Sequence, residues 1–239
     1  MSTRVLDIGD LQALEKTADL LAAGELIIVY FNGTYAFLCD ADQIAPAEKL
    51  FALKKRPLTQ TLALVADPSH LPDFVDQTHP AFVRFPPAQA ITLQQQVHAL
   101  GIIYPANVAT APPDIVQAGT ILNVWTEYEV AKRPFARLNA LVRARGLRGF
   151  KGASTNLSGE ATYHSLDQVL AAFGGHVPVI LDSPQRVEPA RRKSTTMIDL
   201  TRETAVLVRE GSVSAAEIQH HINQVGFGKL TIASNLKTL

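Results

Sequence analysis

The stretch "ELIIVYFNGTYAFLCDA", residues 25–41, decides the fold. Its opening run is apolar, β-branched and aromatic almost without a break. Such a run reads as a buried strand. "NGTYAFLCDA" then supplies a turn and a short second strand. Next comes "AEKLFALKKRPLTQTLALVAD", residues 47–67. Pro46 opens a helix that runs to Lys54, Pro57 stops it, and Leu62 to Val65 form another strand. Outward from here strands and helices alternate loosely, with hairpins mixed in. The pattern predicts an α/β fold: a mixed, partly parallel sheet with helices on its faces.

The remaining elements fit that plan. Leu11, Leu14, Ala18, Leu21 and Ala22 recur at helical spacing, and Gly24 comes next as a C-cap. "PSHLPDFVDQ" is a turn with a short helix. "ITLQQQVHALGIIY" reads as helix then strand, and Pro105, Pro112 and Pro113 break the segment beyond it. "GTILNVW" is a strand. Residues 130–145 form a basic amphipathic helix with Pro134 near its start. "FKGASTNLSGEAT" reads as a loop of small residues. "SLDQVLAAFGG" is a helix capped by Ser165, and "VPVILD" a strand. "STTMIDLT" and "TAVLVREG" pair as a hairpin. Ser214 and Glu217 make a capping box for the last helix. Residues 1–224 are expected to form one domain. Residues 225–239 are an extension, either a short extra strand or a tail.

Bulk composition narrows the class. Hydrophobic content of 47% and charged content of 18% exclude a disordered chain. Formal charge is zero, so any basic site must be local. One cysteine, Cys39, excludes an intrachain disulfide framework and a cysteine-based zinc site. The first residues carry acids early and no apolar core of signal-peptide type. No apolar run reaches the roughly 20 residues of a membrane span. The chain is expected to be soluble and cytoplasmic, so the glycosylation triplets at Asn32 and Asn156 are read as chance.

Four polar loops carry the chemistry. They are "FNGTY" (Phe31 to Tyr35), the cationic "KKRP" at Lys54, Lys55 and Arg56, "STNLSG" (Ser154 to Gly159), and "RRKSTT" (Arg191 to Thr196), with Arg209 one strand further on. Cations at a helix end favour the helix dipole, and that alone accounts for "KKR". The other reading is an anion clamp. Hydroxyls, small-residue loops with free N–H groups, and Lys or Arg are the groups a phosphate site needs.

In order and wording these loops resemble the YrdC-like family, the threonylcarbamoyl-AMP synthases, over roughly residues 10–220. The resemblance rests on "GELIIVYFNGTYAFLCDA", "ALKKRPLTQTLALV", "ASTNLSGEAT", "STTMIDLT" and "LVREG", in family order. It implies a twisted mixed parallel and antiparallel sheet with a concave basic cleft. It implies synthesis of a threonylcarbamoyl adenylate from ATP, bicarbonate and threonine, a nucleotidyl transfer that releases pyrophosphate and serves tRNA adenosine modification. Mg²⁺ would ride on the phosphates, with no protein metal site. The family's "KxR" falls on Lys54 and Arg56, implied to be catalytic and phosphate-binding. Its "SxN" falls on Ser154 and Asn156, with Ser158 close by. Its "ST" loop falls on Ser194 and Thr195, and the arginine of its "RxG" on Arg209.

The amino-acid side departs from the family. The segment equivalent to "PT[DE]TxYGL" is Tyr30 to Phe37. Both family threonines are missing, unless Thr34 substitutes from one position later. The second lysine of "KxRPxxKPL" is lost at Gln60, Thr61 and Leu62, and "PGPxT" is eroded around Pro86 and Pro87. The family's carboxylate-holding arginine falls on Trp125. The substrate pocket implied here is therefore Phe31, Thr34, Tyr35 and Trp125. Arg offers a carboxylate two charge-assisted bonds, whereas Trp offers one neutral N–H. Losing such a partner weakens recognition on the order of 10²-fold or more. Either the acceptor is not threonine, or the acceptor step is gone.

Three functions are compatible with these residues. One is the synthase, in which Lys54, Arg56, Ser154 and Ser194 position the phosphates and stabilise their charge. The alternative is a diverged non-synthase that binds nucleotide or double-stranded RNA. Lys132, Arg133, Arg137, Arg143, Arg145, Arg148 and Lys151 would supply the local basic patch, against the plain reading of a solvated helix face. The third is a hydrolase or trapping protein acting on acylated small molecules, and no Ser-His-Asp or Cys-His spacing supports it.

Overall fold

The structure is a computed structural model that describes residues 2–31, 33–97, 99–125, 134–157, 160–186 and 193–238. In chain order its elements begin with β1 (Arg4–Asp7), α1 (Leu11–Ala22), β2 (Ile27–Phe31), β3 (Thr34–Asp40) and α2 (Ile44–Leu53). They continue with β4 (Ala63–Val65), α3 (Ala81–Arg84), α4 (Pro87–Gln96), β5 (Leu100–Pro105), β6 (Val116–Gln117) and β7 (Thr120–Trp125). Then come α5 (Pro134–Ala144), β8 (Phe150–Ser154), α6 (Leu166–Phe173) and β9 (Val179–Asp182). Last are β10 (Thr196–Asp199), β11 (Val206–Glu210), α7 (Ala215–Gln224) and β12 (Thr231–Thr238). The chain divides into two compact units. One holds Met1–Leu62 and Glu129–Arg192, the other Ala63–Tyr128 and Lys193–Leu239. Each carries a mixed parallel and antiparallel sheet with helices packed on it.

In the first unit the strand order is β1-β9-β2-β3-β8. β9 runs parallel to β1 and β2, while β3 is antiparallel to β2 and β8. All five residues of β2 are buried, as the unbroken apolar run predicts. The register from Ile27↔Leu38 to Phe31↔Thr34 leaves a two-residue turn, with Gly33 at φ +81°. α1 starts where Asp10 accepts the Gln12 amide, and it buries Leu14, Ala18 and Leu21 as its spacing requires. Arg145 of the α5 end ties this helix down through Glu15 (2.6 Å) and Asp19 (2.7 Å). The Ser165 cap forms as a full box with Gln168.

Four details differ from the sequence reading. α2 begins at Ile44, so Pro46 lies inside its first turn, where no backbone donor is needed. Ser214 caps α7 by accepting the Glu217 amide, but it is Glu210, back on β11, that takes the Ala215 amide. Thr231–Thr238 is a full strand, parallel to β11. Most tellingly, "FKGAS" is not loop. It is β8, paired with β3 from Asp40↔Phe150 to Ala36↔Ser154. Gly152 makes that pairing possible, because a Cβ there would stand 2.1 Å from the Phe37 carbonyl oxygen.

The second unit orders its strands β4-β7-β5-β10-β11-β12, with β6 as a short hairpin on β7. A buried amide network locks its centre. Asn123 bonds both main-chain groups of Ala66 (3.0 and 3.2 Å) and reaches Gln94 (3.1 Å). Gln94 in turn donates to the carbonyls of Leu100 and Asn123 (3.0 and 2.9 Å) and meets the Tyr104 hydroxyl. Every one of these buried groups is thereby satisfied, which fixes α4 against β5 and β7. β10 and β11 are antiparallel, the hairpin that the sequence predicts.

The Gly152 contact yields a stability test. Gly152→Ala should cost about 2 kcal/mol or more, since backbone cannot yield as a side chain can. Gly101→Ala meets only Met197 and Leu122 side chains at 3.1 and 3.2 Å and should cost less. Urea melts of the two variants check the order. Equal losses would mean that β8 yields at no cost.

Candidate functional site

The end of α2 is built to aim cations. Lys55 adopts φ +50°, the left-handed conformation that usually falls to glycine and costs another residue roughly 1 kcal/mol. Arg56 N–H then bonds the Phe51 carbonyl (2.9 Å) and Lys55 N–H that of Ala52 (3.1 Å), a Schellman termination. The turn sends Lys54 inward, to 3% exposure. Its Nζ donates to the main-chain carbonyls of Ser154 and Asn156. Arg56 donates one guanidinium N–H to the Thr61 carbonyl and lies 5.8 Å from the Phe51 ring centroid. Its Nε is buried with no acceptor among the described residues. Among the described residues, neither cation has a carboxylate within ion-pair distance. Burial and the neighbouring Arg56 pull the Lys54 ammonium down to about 8 from its ordinary 10.5. Burial lowers the Arg56 guanidinium as well.

The loop that receives Lys54 is itself cross-braced. The Ser154 hydroxyl meets Asn156 Oδ1, and Asn156 Nδ2 donates to the carbonyls of Leu157 (3.1 Å) and Glu160 (2.8 Å). The Thr155 amide and hydroxyl both donate to the Tyr35 carbonyl (2.9 and 3.1 Å). The Phe31–Thr34 turn and the Ser154–Asn156 loop therefore sit at the same end of adjoining strands. Thr34 closes its own turn, donating to the Phe31 carbonyl at 2.9 Å. Phe31 packs edge-on against Phe135 at 5.1 Å. Tyr35 is buried, and its hydroxyl donates to Asp182 Oδ1 at 2.6 Å. Burial, then this bond and the Asp182 charge, hold that phenol well above its ordinary range. Asp182 also takes both arms of Arg186 (2.9 and 2.8 Å), whose guanidinium lies 4.8 Å from the Tyr30 ring centroid.

The second unit holds the other polar set. Arg209 Nε donates to the Thr195 carbonyl (2.8 Å), and burial lowers its guanidinium too. The Ser194 and Thr195 hydroxyls make no hydrogen bond among the described residues. Gly211 is required beneath them, since a Cβ would lie 1.8 Å from the Ser194 carbonyl oxygen. Thr196 staples this turn. Its hydroxyl donates to the Val213 carbonyl (2.7 Å) and accepts the Gly211 and Val213 amides (3.0 Å each). Trp125 ends β7, opposite Leu100, and is 4% exposed.

Comparison with known proteins places this arrangement. A family model named for Sua5, YciO and YrdC, described as "Telomere recombination", matches residues 19–211. The chain belongs to the Sua5/YciO/YrdC family. A curated threonylcarbamoyl-AMP synthase of Pseudoalteromonas translucida (strain TAC 125) is 26% identical over 178 residues, 74% of this chain and 89% of that one. The structure of P. abyssi Sua5 complexed with L-threonine superposes with a TM-score of 0.75 at 20% identity, covering 97% of this chain. This chain spans only 63% of that Sua5 chain's length. E. coli YciO superposes with a TM-score of 0.66 at 18% identity, over 87% of this chain and 96% of its own. These structural likenesses bear on the fold.

Within the family frame the first unit gathers Lys54, Arg56, Ser154 and Asn156, and the second gathers Ser194, Thr195 and Arg209. Asn32, Ser158, Lys132, Arg133, Arg191 and Arg192 lie outside the described residues. The basic helix is less free than its sequence implies. Arg145 is paired with Glu15 and Asp19, Arg148 holds Asp42 with both arms, and Lys151 is buried in β8. Three contributors escaped sequence reading. Thr155 and Thr196 look like ordinary hydroxyls until pairing shows which carbonyls they face. His164 Nδ1 meets the Gly33 carbonyl (3.1 Å) from the residue before the α6 cap, a contact with no local signal.

Lys54 makes the site pH-sensitive in a stated direction. An anion beside the ammonium raises its pKa, so above pH 8 binding takes up a proton. Pyrophosphate affinity should be full below pH 8 and fall as pH rises through it, by up to about tenfold per pH unit. Calorimetric titrations at pH 7 and pH 9.5 measure this, and a flat response would remove Lys54 from the anion's surroundings.

Proposed function

We propose that this protein makes threonylcarbamoyl-AMP, or a closely related carbamoyl-adenylate, from ATP, bicarbonate and an amino acid, for tRNA adenosine modification. The observation that carries the reading is the end of α2. A buried lysine and a half-buried arginine lie there with no carboxylate among the described residues, and the arginine keeps a buried Nε without an acceptor, in a chain of this family. A buried charge is retained where it is paired, and the partner lacking here is anionic. A polyphosphate fits that description. Among the described residues no group of three or more His, Cys, Asp or Glu side chains is placed to hold a metal. Mg²⁺, if it takes part, is proposed to be carried on the phosphates.

The reaction needs little covalent help from the protein. The amine combines with bicarbonate to give a carbamate and water. A carbamate oxygen then attacks the α-phosphorus, and the bond to the leaving pyrophosphate breaks. Negative charge accumulates on the phosphate oxygens, and Arg56, with Lys54 behind it, would face that charge. Ser154 and Asn156 spend their side-chain donors inside the braced loop, so they would shape the site and would reach a phosphate only by exchanging those bonds. In the second unit, Arg209 with the open hydroxyls of Ser194 and Thr195 forms a further set suited to phosphate. The acceptor amine is assigned to the Phe31–Thr34 turn.

Pyrophosphate release by the purified protein, with ATP and bicarbonate, with and without threonine, tests the reading. Threonine-dependent release is expected, and Arg56→Ala should lower it at least about 100-fold, the scale of losing a charge-stabilising group. Release with a different amino acid would keep the reaction and change the acceptor. Binding of ATP or double-stranded RNA without any release would instead support a diverged binding protein.

A further inference from the structure

Lys54 and Arg56 look like a pair in sequence, yet their side chains do different things. Arg56 spends one N–H on the Thr61 carbonyl and keeps a buried Nε with no acceptor. Lys54 is committed. Two of its three N–H donors already serve the carbonyls of Ser154 and Asn156, a hundred residues away in sequence. Those carbonyls lie two residues apart and converge on one ammonium. We propose that Lys54 is a positioning residue: it clasps the Ser154–Asn156 loop through the main chain, and the contact with the anion is left to Arg56.

Energetics favour the clasp over a swing toward ligand. Hydrogen bonds from a charged donor are stronger than those between neutral groups. Turning Nζ to a phosphate would give up two of them. It would also leave two carbonyls without a donor in a loop whose side-chain donors at Ser154, Thr155 and Asn156 are already committed. Thr155 is fixed to Tyr35, and Asn156 to Leu157 and Glu160. Lys54 thus joins the end of α2 to a loop that is otherwise held by β3 and by itself. The clasp also accounts for a lysine kept at 3% exposure beside another cation, where carbonyl dipoles replace its hydration. Arg cannot take this place, because a planar fork does not reproduce a compact ammonium on two convergent carbonyls.

Hydrogen–deuterium exchange of the unliganded protein separates this role from a ligand contact. The clasp is read without nucleotide, so its outcome stands apart from whether ATP is the substrate. In Lys54→Met and in Lys54→Arg, amides of residues 154–160 should exchange at least tenfold faster than in the parent protein. Arg56→Met should leave them unchanged while losing pyrophosphate affinity in calorimetry. Circular dichroism and melting establish that each variant is folded. If Lys54→Met does not fold, Lys54→Gln, a shorter neutral donor, takes its place with the same expectation. Unchanged exchange in the folded neutral variant would overturn the proposal, whatever happens to affinity. So would Lys54→Arg with parental exchange and parental pyrophosphate affinity, since charge alone would then suffice.

Discussion

A cation taken out of water costs several kcal/mol unless other dipoles or charges replace its hydration. In the first unit Lys54 is withdrawn in this way and Arg56, two residues on, partly so with its Nε buried, and no carboxylate among the described residues answers either. Much nearby structure is set by that constraint. The left-handed Lys55 ends α2 so sharply that Lys54 faces inward and Arg56 back along the helix. The loop after β8 turns two carbonyls toward Lys54. Carbonyl dipoles are a partial answer, enough for the lysine. They leave Arg56 Nε without an acceptor, and native proteins rarely leave such a group without a use.

The strands explain why that loop is where it is. β3 runs between β2 and β8, so its outer end meets both the Phe31–Thr34 turn and the Ser154–Asn156 loop. Tyr35 is the joint. Its carbonyl takes two bonds from Thr155, while its hydroxyl is held by Asp182 on β9, itself gripped by Arg186. A change at any of these residues is felt through main-chain geometry, and packed interiors transmit such strain.

Legibility from sequence divides along a physical line. Local signals were legible: the apolar run of β2, the apolar faces of α1 and α6, the Ser165 cap, and the β10–β11 hairpin. β8 was not. "FKGAS" has little intrinsic strand preference, and it pairs because Gly152 allows close approach to the Phe37 carbonyl. The cations obey the same division. "KKRP" announces a helix end and raises the question of an anion. Which charge faces the loop and which keeps an open donor depends on carbonyls a hundred residues on. The resemblance pointed to Ser154, Asn156, Ser194, Thr195 and Arg209 as candidates, whereas Thr155, His164 and Thr196 act on the structure through pairings that no short motif encodes.

The acceptor side is where this chain sets itself apart within the family. Thr34, the residue nearest to a replacement for the missing threonines, spends its donor on the Phe31 carbonyl. Phe31 is turned against Phe135, and the Tyr35 hydroxyl belongs to Asp182. Among the described residues of this turn, Phe31 and Tyr35 are buried and no side-chain donor is left unspent. A site rejects an analogue strongly when its own polar groups would be left unpaired, and weakly when its walls are apolar. This turn accordingly gives little reason to prefer threonine over an apolar amino acid of similar size. Discrimination would have to come from contacts to the carboxylate and amine, which every α-amino acid shares. The end of α2, by contrast, keeps in Arg56 Nε a buried donor with no acceptor among the described residues, a group that suits an anion.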